Sequence, residues 1–170
     1  MTEAPTLQTE RLTLRMPRRA DFEPRAAFFA TPRSVHEGGP LSRRAAWRLF
    51  ASEVGQWSLL GYGPFAVDDR MTGAYLGEVG IYHAVDYPER ELGWFVTEEA
   101  EGKGIAYEAA RAVLDWITAS FPWPRIVHYI TADNARSIAL GLRLGGVIDP
   151  SLPGSDPGDI IIRHDLRRAA

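Results

Sequence analysis

Residues 101–116 read EGKGIAYEAARAVLDW and set two glycines, Gly102 and Gly104, at the mouth of an amphipathic helix. A helix N-terminus presents about four amide N–H groups that have no intrahelical acceptor. A partial charge of roughly +0.5 backs them, and glycines let an anion come close to the backbone. The stretch fits neither familiar phosphate fingerprint. It lacks G-x-x-x-x-G-K-[ST], and in the G-x-G-x-x-G register Tyr107 stands where the third glycine belongs. It also opens on an acid, Glu101. Taken alone, these residues suit either an anion cradle or a tight strand-to-helix turn.

The hydrophobic pattern sets out the elements that must hold this stretch. RLTLRM (11–16) alternates and reads as a strand. Asp21 caps a short helix that tolerates Pro24 in its first turn and runs to about Ala30. Ser42 opens a second helix with Trp47, Phe50, Val54 and Trp57 on one face, and Gly61 to Gly63 break it. Strands follow at 64–69, 75–83 and 89–96, separated by short turns that imply an antiparallel meander. The helix at 105–120 buries Ile105, Ala109, Val113, Trp116 and Ile117, and 125–131 is another strand. Asp133 or Asn134 then caps a helix to about Leu144, closed by Gly145 and Gly146, and a last strand spans 159–166. The order predicts one α+β domain over 1–170, a mixed, mostly antiparallel sheet with helices on both faces.

Composition narrows the function classes. The chain has 170 residues, 45% hydrophobic and 24% charged, the balance of a folded domain. It has no cysteine, which excludes a disulfide framework and a thiolate nucleophile. His36, His83, His128 and His164 lack H-x-x-x-H or H-E-x-x-H spacing, so no metal is expected. No apolar run approaches the ~20 residues of a membrane span, and the N-terminus carries no signal pattern, so a cytoplasmic location is expected. Charge is uneven: +4 over residues 1–50, −8 over 51–101 and +1 over the rest. No basic stripe marks a nucleic-acid partner. The acidic middle is either a solvated face or a surface for a cationic ligand.

The residues around the glycines carry a resemblance. VTEEAEGKGIA (96–106) resembles the acyl-CoA-binding signature of the GNAT N-acetyltransferase superfamily, Gln/Arg-x-x-Gly-x-Gly/Ala, here Glu101-x-x-Gly104-x-Ala106. DNARSIALGLRLGG (133–146) resembles its second element, with Asn134, Ser137, Leu144 and Gly145 in matching places. TERLTLRMPRRADFE (9–23) is similar to the opening of the ribosomal-protein-alanine acetyltransferase branch. Together these stretches cover about residues 8–148. The resemblance implies a sheet in which the strand before the signature and the strand after its helix splay apart. The pantetheine arm of acetyl-CoA, the co-substrate, enters that gap. A homodimer is common among such relatives.

It also implies roles. The backbone of Glu101, Gly102, Lys103, Gly104, Ile105, Ala106 and Tyr107 would surround the pyrophosphate. Phe95 and Val96 would pair with the pantetheine amides, with the Val96 N–H as oxyanion donor. Asn134 and Ser137 would touch the cofactor arm from the next helix, or serve only as a helix cap and an exposed serine. Glu101 departs from the pattern: its carboxylate either approaches the pyrophosphate, where Lys103 would offset it, or points away. Where many relatives carry a tyrosine acid this chain has Gly141, which leaves Ser137, water or Tyr129 to protonate the thiolate. Glu91 is the first choice of base. Glu78 and His83 lie on the adjacent strand with opposite facing, so only one of them faces the site. Trp94, Tyr82, Trp57 and Tyr62 line an acceptor pocket or belong to the core. The expected activity is acyl-CoA-dependent N-acetylation of a primary amine, on a small molecule or a protein N-terminus. The alternative is an acyl-CoA-binding module of the same fold without turnover.

Overall fold

The computed structural model describes residues 4–166. A two-residue strand, β1 (Leu7–Gln8), turns into β2 (Leu12–Arg15), where the expected alternation holds: Leu12 and Leu14 are fully buried, and Thr13 and Arg15 only partly. A 3-10 turn at Arg19–Asp21 leads into α1 (Phe22–Phe29). Asp21 does not cap this helix with its side chain. The carboxylate accepts from the Arg18 amide at 2.7 Å and from both terminal nitrogens of Arg15 at 2.7 and 2.8 Å. A 3-10 segment, Pro32–Glu37, then connects to α2 (Arg43–Leu60). Ser42 caps α2 by accepting from the Ala45 amide at 3.2 Å, and Gly61 closes it in the left-handed conformation.

The meander follows as β3 (Pro64–Asp69), β4 (Tyr75–Tyr82) and β5 (Glu91–Val96). Next come α3 (Ile105–Ser120), β6 (Arg125–Thr131), α4 (Ala135–Arg143), β7 (Val147–Ile148) and β8 (Asp159–Asp165). The sheet runs in the order β1-β2-β3-β4-β5-β6-β8-β7 and is antiparallel throughout except between β5 and β6. No helix among the described residues is long and apolar enough to cross a membrane.

Two cores flank the sheet. Helix α3 lays Ile105, Ala109, Val113 and Ile117 on Leu12, Leu14, Val67, Val79, Ile81 and Leu92. The opposite face carries a phenylalanine cluster in which Phe28 and Phe29 from α1 pack on Phe95 of β5. Trp57 and Tyr62 belong to the first core, not to a pocket: Trp57 is 1% exposed and donates to the Pro64 carbonyl at 2.7 Å. Trp47, expected on the buried face of α2, is 44% exposed and stands edgewise on Phe22 at 5.0 Å.

One buried ion pair ties these layers together. Arg25 of α1 is 1% exposed and reaches Glu78 of β4 through Nε at 3.1 Å and Glu53 of α2 through Nη2. Tyr75 donates its hydroxyl to the other Glu78 oxygen at 3.1 Å. Burial pushes the Glu78 carboxyl up, and the Arg25 charge opposes that shift. Removing one partner leaves a buried charge uncompensated. Glu78→Ala is therefore expected to cost about 3–5 kcal/mol in urea unfolding. Glu78→Gln, which keeps hydrogen-bonding groups for Arg25 and Tyr75, should cost clearly less.

Candidate functional site

The site begins where β5 and β6 part. These two parallel strands share a single bridge, Glu91 opposite Val127, with the Val127 amide donating to the Arg90 carbonyl at 3.0 Å. One step further along β5, the Leu92 carbonyl accepts from the His128 ring, Nδ1, at 2.5 Å instead of from a backbone amide of β6. His128 is buried, and its other nitrogen meets Nε2 of His164 at 2.8 Å. Burial, reinforced by His164, pushes the His128 ring down to about 3, so it stays neutral as an Nδ1–H donor that accepts from His164. An imidazole thus stands between the strands like a wedge.

Beyond the wedge the β5 backbone faces open space. Thr97 donates to Leu76 of the β4 side, while the Arg90 and Leu92 carbonyls point to β6. By ladder alternation, the N–H and C=O groups of Trp94 and Val96 also face β6. Phe95 does not offer its backbone to the gap as expected. Its carbonyl points toward β4, where a Cβ on Gly77 would come within 2.2 Å of it, and its ring joins the phenylalanine cluster.

A cleft of about 510 Å³ opens beside Trp94 and Val96. The loop into α3 borders it through Glu101 and Ala106, while Gly104 lies along a neighbouring groove; Gly102 and Gly104 have φ of 73° and 75°, a region that favours glycine. Among the described residues, the amides of Gly102 to Tyr107 donate to no protein group, as the first turn of a helix requires. Arg11 holds the loop, donating to the Lys103 carbonyl at 3.0 Å and to Glu108 through Nε at 2.6 Å.

Glu101 neither approaches this cradle unaccompanied nor points away. Its two oxygens each take a guanidinium, one from Arg33 of the 3-10 segment and one from Arg136 in the first turn of α4. Those two hydrogen bonds hold the Glu101 carboxyl below its usual range. Lys103 does not supply the offset expected of it, because it lines a separate groove with Arg11 and Tyr107. Within this trio the two guanidiniums outnumber the carboxylate by one, while Glu37 and Asp133 also line the cleft. Asn134 is the N-cap of α4, accepting from the Ser137 amide at 3.1 Å, and both residues line the cleft. At Gly141 a Cβ would come within 2.9 Å of Ile162 Cδ1, so a side chain there requires the end of Ile162 to move.

On the other side of β5 lies a second cavity of about 490 Å³, lined by Tyr82, Tyr87, Trp94, Tyr129 and His83 together with Glu37, Glu53, Glu91, Asp156 and Asp159. Glu91 therefore faces this cavity, and so does His83, whereas Glu78 is consumed by Arg25 and Tyr75. Burial pushes Glu91 up to about 8; the Tyr129 amide opposes the shift, and the charges of Glu37, Asp159 and Glu53 add to it. Burial alone pushes Glu37 up to about 7. Tyr129 accepts the Glu89 amide on its hydroxyl at 2.9 Å. A small gap of about 30 Å³ between β5 and β6 separates the two cavities and is lined by His128 and Ser137. His36, Glu37 and Trp94 line all three spaces. His36 and Glu37 come from the 3-10 segment, and reasoning from the sequence missed both for this site. Nothing in a Pro-led loop with one acid distinguishes it from an ordinary connection.

The cleft has what a phosphorylated, amide-bearing arm requires: free helix-end amides, two arginines and an unpaired strand edge. Comparison with known proteins agrees. The model of the GNAT acetyltransferase domain matches residues 11–147. The crystal structure of an acetyltransferase from Agrobacterium tumefaciens is similar at 41% identity, covering 95% of each chain with a TM-score of 0.91. A GNAT-family structure from Bordetella pertussis is 25% identical, covering 94% of this chain and 99% of its own, with a TM-score of 0.80. Spermidine N-acetyltransferase from Vibrio cholerae, solved with CoA and spermine, shares the fold at 18% identity and a TM-score of 0.71, covering 91% of this chain and 94% of its own. Ribosomal-protein acetyltransferases are among the structures of the same fold. With the family model spanning most of the sequence, the chain belongs to the GNAT family of acetyltransferases.

Proposed function

We propose that the protein transfers acetyl from acetyl-CoA directly to a primary amine. The observation that carries this reading is the meeting of two unlike cavities at Trp94: one lined by Arg33, Arg136 and Ala106 of the helix start, the other by a group of carboxyls that are mostly half-buried. Acetyl-CoA supplies an activated thioester. In this reading the amides of Gly102 to Tyr107 bind the pyrophosphate, with Arg33 and Arg136 adding charge at the rim. Val96 pairs with the pantetheine arm. The Trp94 N–H, nearer the junction than Val96, polarises the reacting carbonyl, and one such donor is worth about 3 kcal/mol.

Glu91 removes the amine proton. Its value near 8 suits a base that must work close to neutral pH. Ser137 lines both the cleft and the gap and is the nearest hydroxyl for the departing sulfur. A thiol with an ordinary value of about 8.5 leaves without a strong acid. The closed Gly141 position favours a second reading, a CoA-binding module without turnover. Thermal shifts with acetyl-CoA, CoA, ATP and NAD, followed by thiol release over an amine panel, separate the two: both readings give selective CoA binding, and only the first gives release.

Three results are expected. Gly104→Val, at a φ of 75°, should fold with a loss of about 1–3 kcal/mol and lose acetyl-CoA binding in calorimetry. Arg136→Ala should weaken acetyl-CoA about fivefold to tenfold and flatten the dependence of its Kd on salt. Glu91 is active as the carboxylate, so the rate should rise with pH through about 8 and level above it. Glu91→Gln should lower kcat by about 100-fold or more and remove that limb from the pH profile, with acetyl-CoA affinity unchanged.

A further inference from the structure

The second cavity is more anionic than acetyl transfer to an amine requires. Glu37, Glu91, Asp156 and Asp159 reach it from the 3-10 segment, β5, the loop before β8, and β8 itself. Among the described residues none of the four is in an ion pair, whereas the fifth acid, Glu53, is held by Arg25. Glu37, Glu91 and Asp159 are half-buried and Asp156 is exposed, and a half-buried carboxylate without a counterion is costly. Here they also repel one another: the charges of Glu37, Asp159 and Glu53 all push on Glu91. A ligand that brings positive charge draws these carboxyls into their charged form, and a second ammonium has a second set of carboxyls to meet.

The acids also fall at two ends. Glu37 lines the cofactor cleft as well as the cavity, beside Trp94, and Glu91 lines the gap between them. Asp156 and Asp159 line the cavity alone. Between these ends stand aromatic rings, a surface for methylene groups and for ammonium–π contacts.

We propose that the acceptor is an aliphatic polyamine held by at least two ammonium groups. The nitrogen to be acetylated sits at Trp94 between Glu37 and Glu91, and a second is held at the Asp156–Asp159 end. This rests on the acetyltransferase reading, and it fixes the acceptor class within it. In the reaction the near ammonium loses one proton to a carboxylate of the site, the freed lone pair forms the N–C bond, the C–S bond breaks, and the second proton of the nitrogen passes to the departing thiolate, leaving the neutral amide and the CoA thiol. The far nitrogen stays protonated and serves as an anchor.

The test compares spermidine, n-butylamine and an alanine-initiated tripeptide as acceptors with saturating acetyl-CoA, and titrates each calorimetrically into the CoA-loaded protein. Spermidine is expected to exceed n-butylamine by about 100-fold in kcat/KM and to bind where the tripeptide does not. Asp156→Asn combined with Asp159→Asn should raise the KM for spermidine about tenfold and the KM for n-butylamine far less, with acetyl-CoA affinity unchanged. Equal use of spermidine and n-butylamine, preference for the tripeptide, or no calorimetric binding of spermidine would each overturn the proposal. A protein that binds neither CoA nor acetyl-CoA would overturn the acetyltransferase reading itself, which is a separate result.

Discussion

A strand that leaves its neighbour exposes backbone groups that must find partners elsewhere, because unpaired buried amides and carbonyls are costly. The whole site follows from that constraint at β5. Its even-numbered residues turn toward β6, and only Arg90 finds a backbone partner there. The His128 ring takes the Leu92 carbonyl, and after it Trp94 and Val96 face the open cleft. The wedge works because it is neutral. Burial holds His128 near 3 and His164 near 4, so neither ring brings a charge into the sheet at ordinary pH. An extended, amide-bearing arm can complete such an edge as a strand would.

The same divergence divides the charges. Arg33 and Arg136 lie on the cleft side, Glu91, Asp156 and Asp159 on the other, and Glu37 lines both. The two sides do not cancel each other because the sheet stands between them and Trp94 marks the passage. The segment Pro32–Glu37 touches both, with Arg33 bound to Glu101 at the cleft and Glu37 in the acidic cavity. Glu101, which by sequence alone looks hostile to a phosphate, organises the arginines that favour one.

Much of the frame was legible in the residues. Helix α3 and strand β6 fall at 105–120 and 125–131, where hydrophobic spacing and the prolines between them required. The glycine loop could be read because positive φ and a helix start leave local marks. Strands β1 and β7 could not, since two residues carry no period. Trp47 was misplaced because helical spacing gives a face but not how far the neighbouring helix covers it. The partners of Glu101 lie 68 and 35 residues away, and no local pattern joins them. Phe95 and Val96 are adjacent in sequence, yet the ladder turns their backbones in opposite directions, which only the register of β4 decides.

The closed space at Gly141 bears on how the chemistry is shared. Ile162 and His128 occupy the ground where a larger side chain would stand, and Ile162 belongs to β8, the strand that also brings Asp159 to the acidic cavity. Packing α4 this closely against β8 therefore does two things at once. It narrows the room for a larger side chain at Gly141, and it fixes the strand that carries Asp159 to the other cavity. A thiolate is stable enough to depart unaided, whereas an alkylammonium with a value above 10 in water is not a nucleophile until it loses its proton. In the proposed reaction the carboxyls take the harder of the two proton transfers, and the easier one falls to a serine or to solvent.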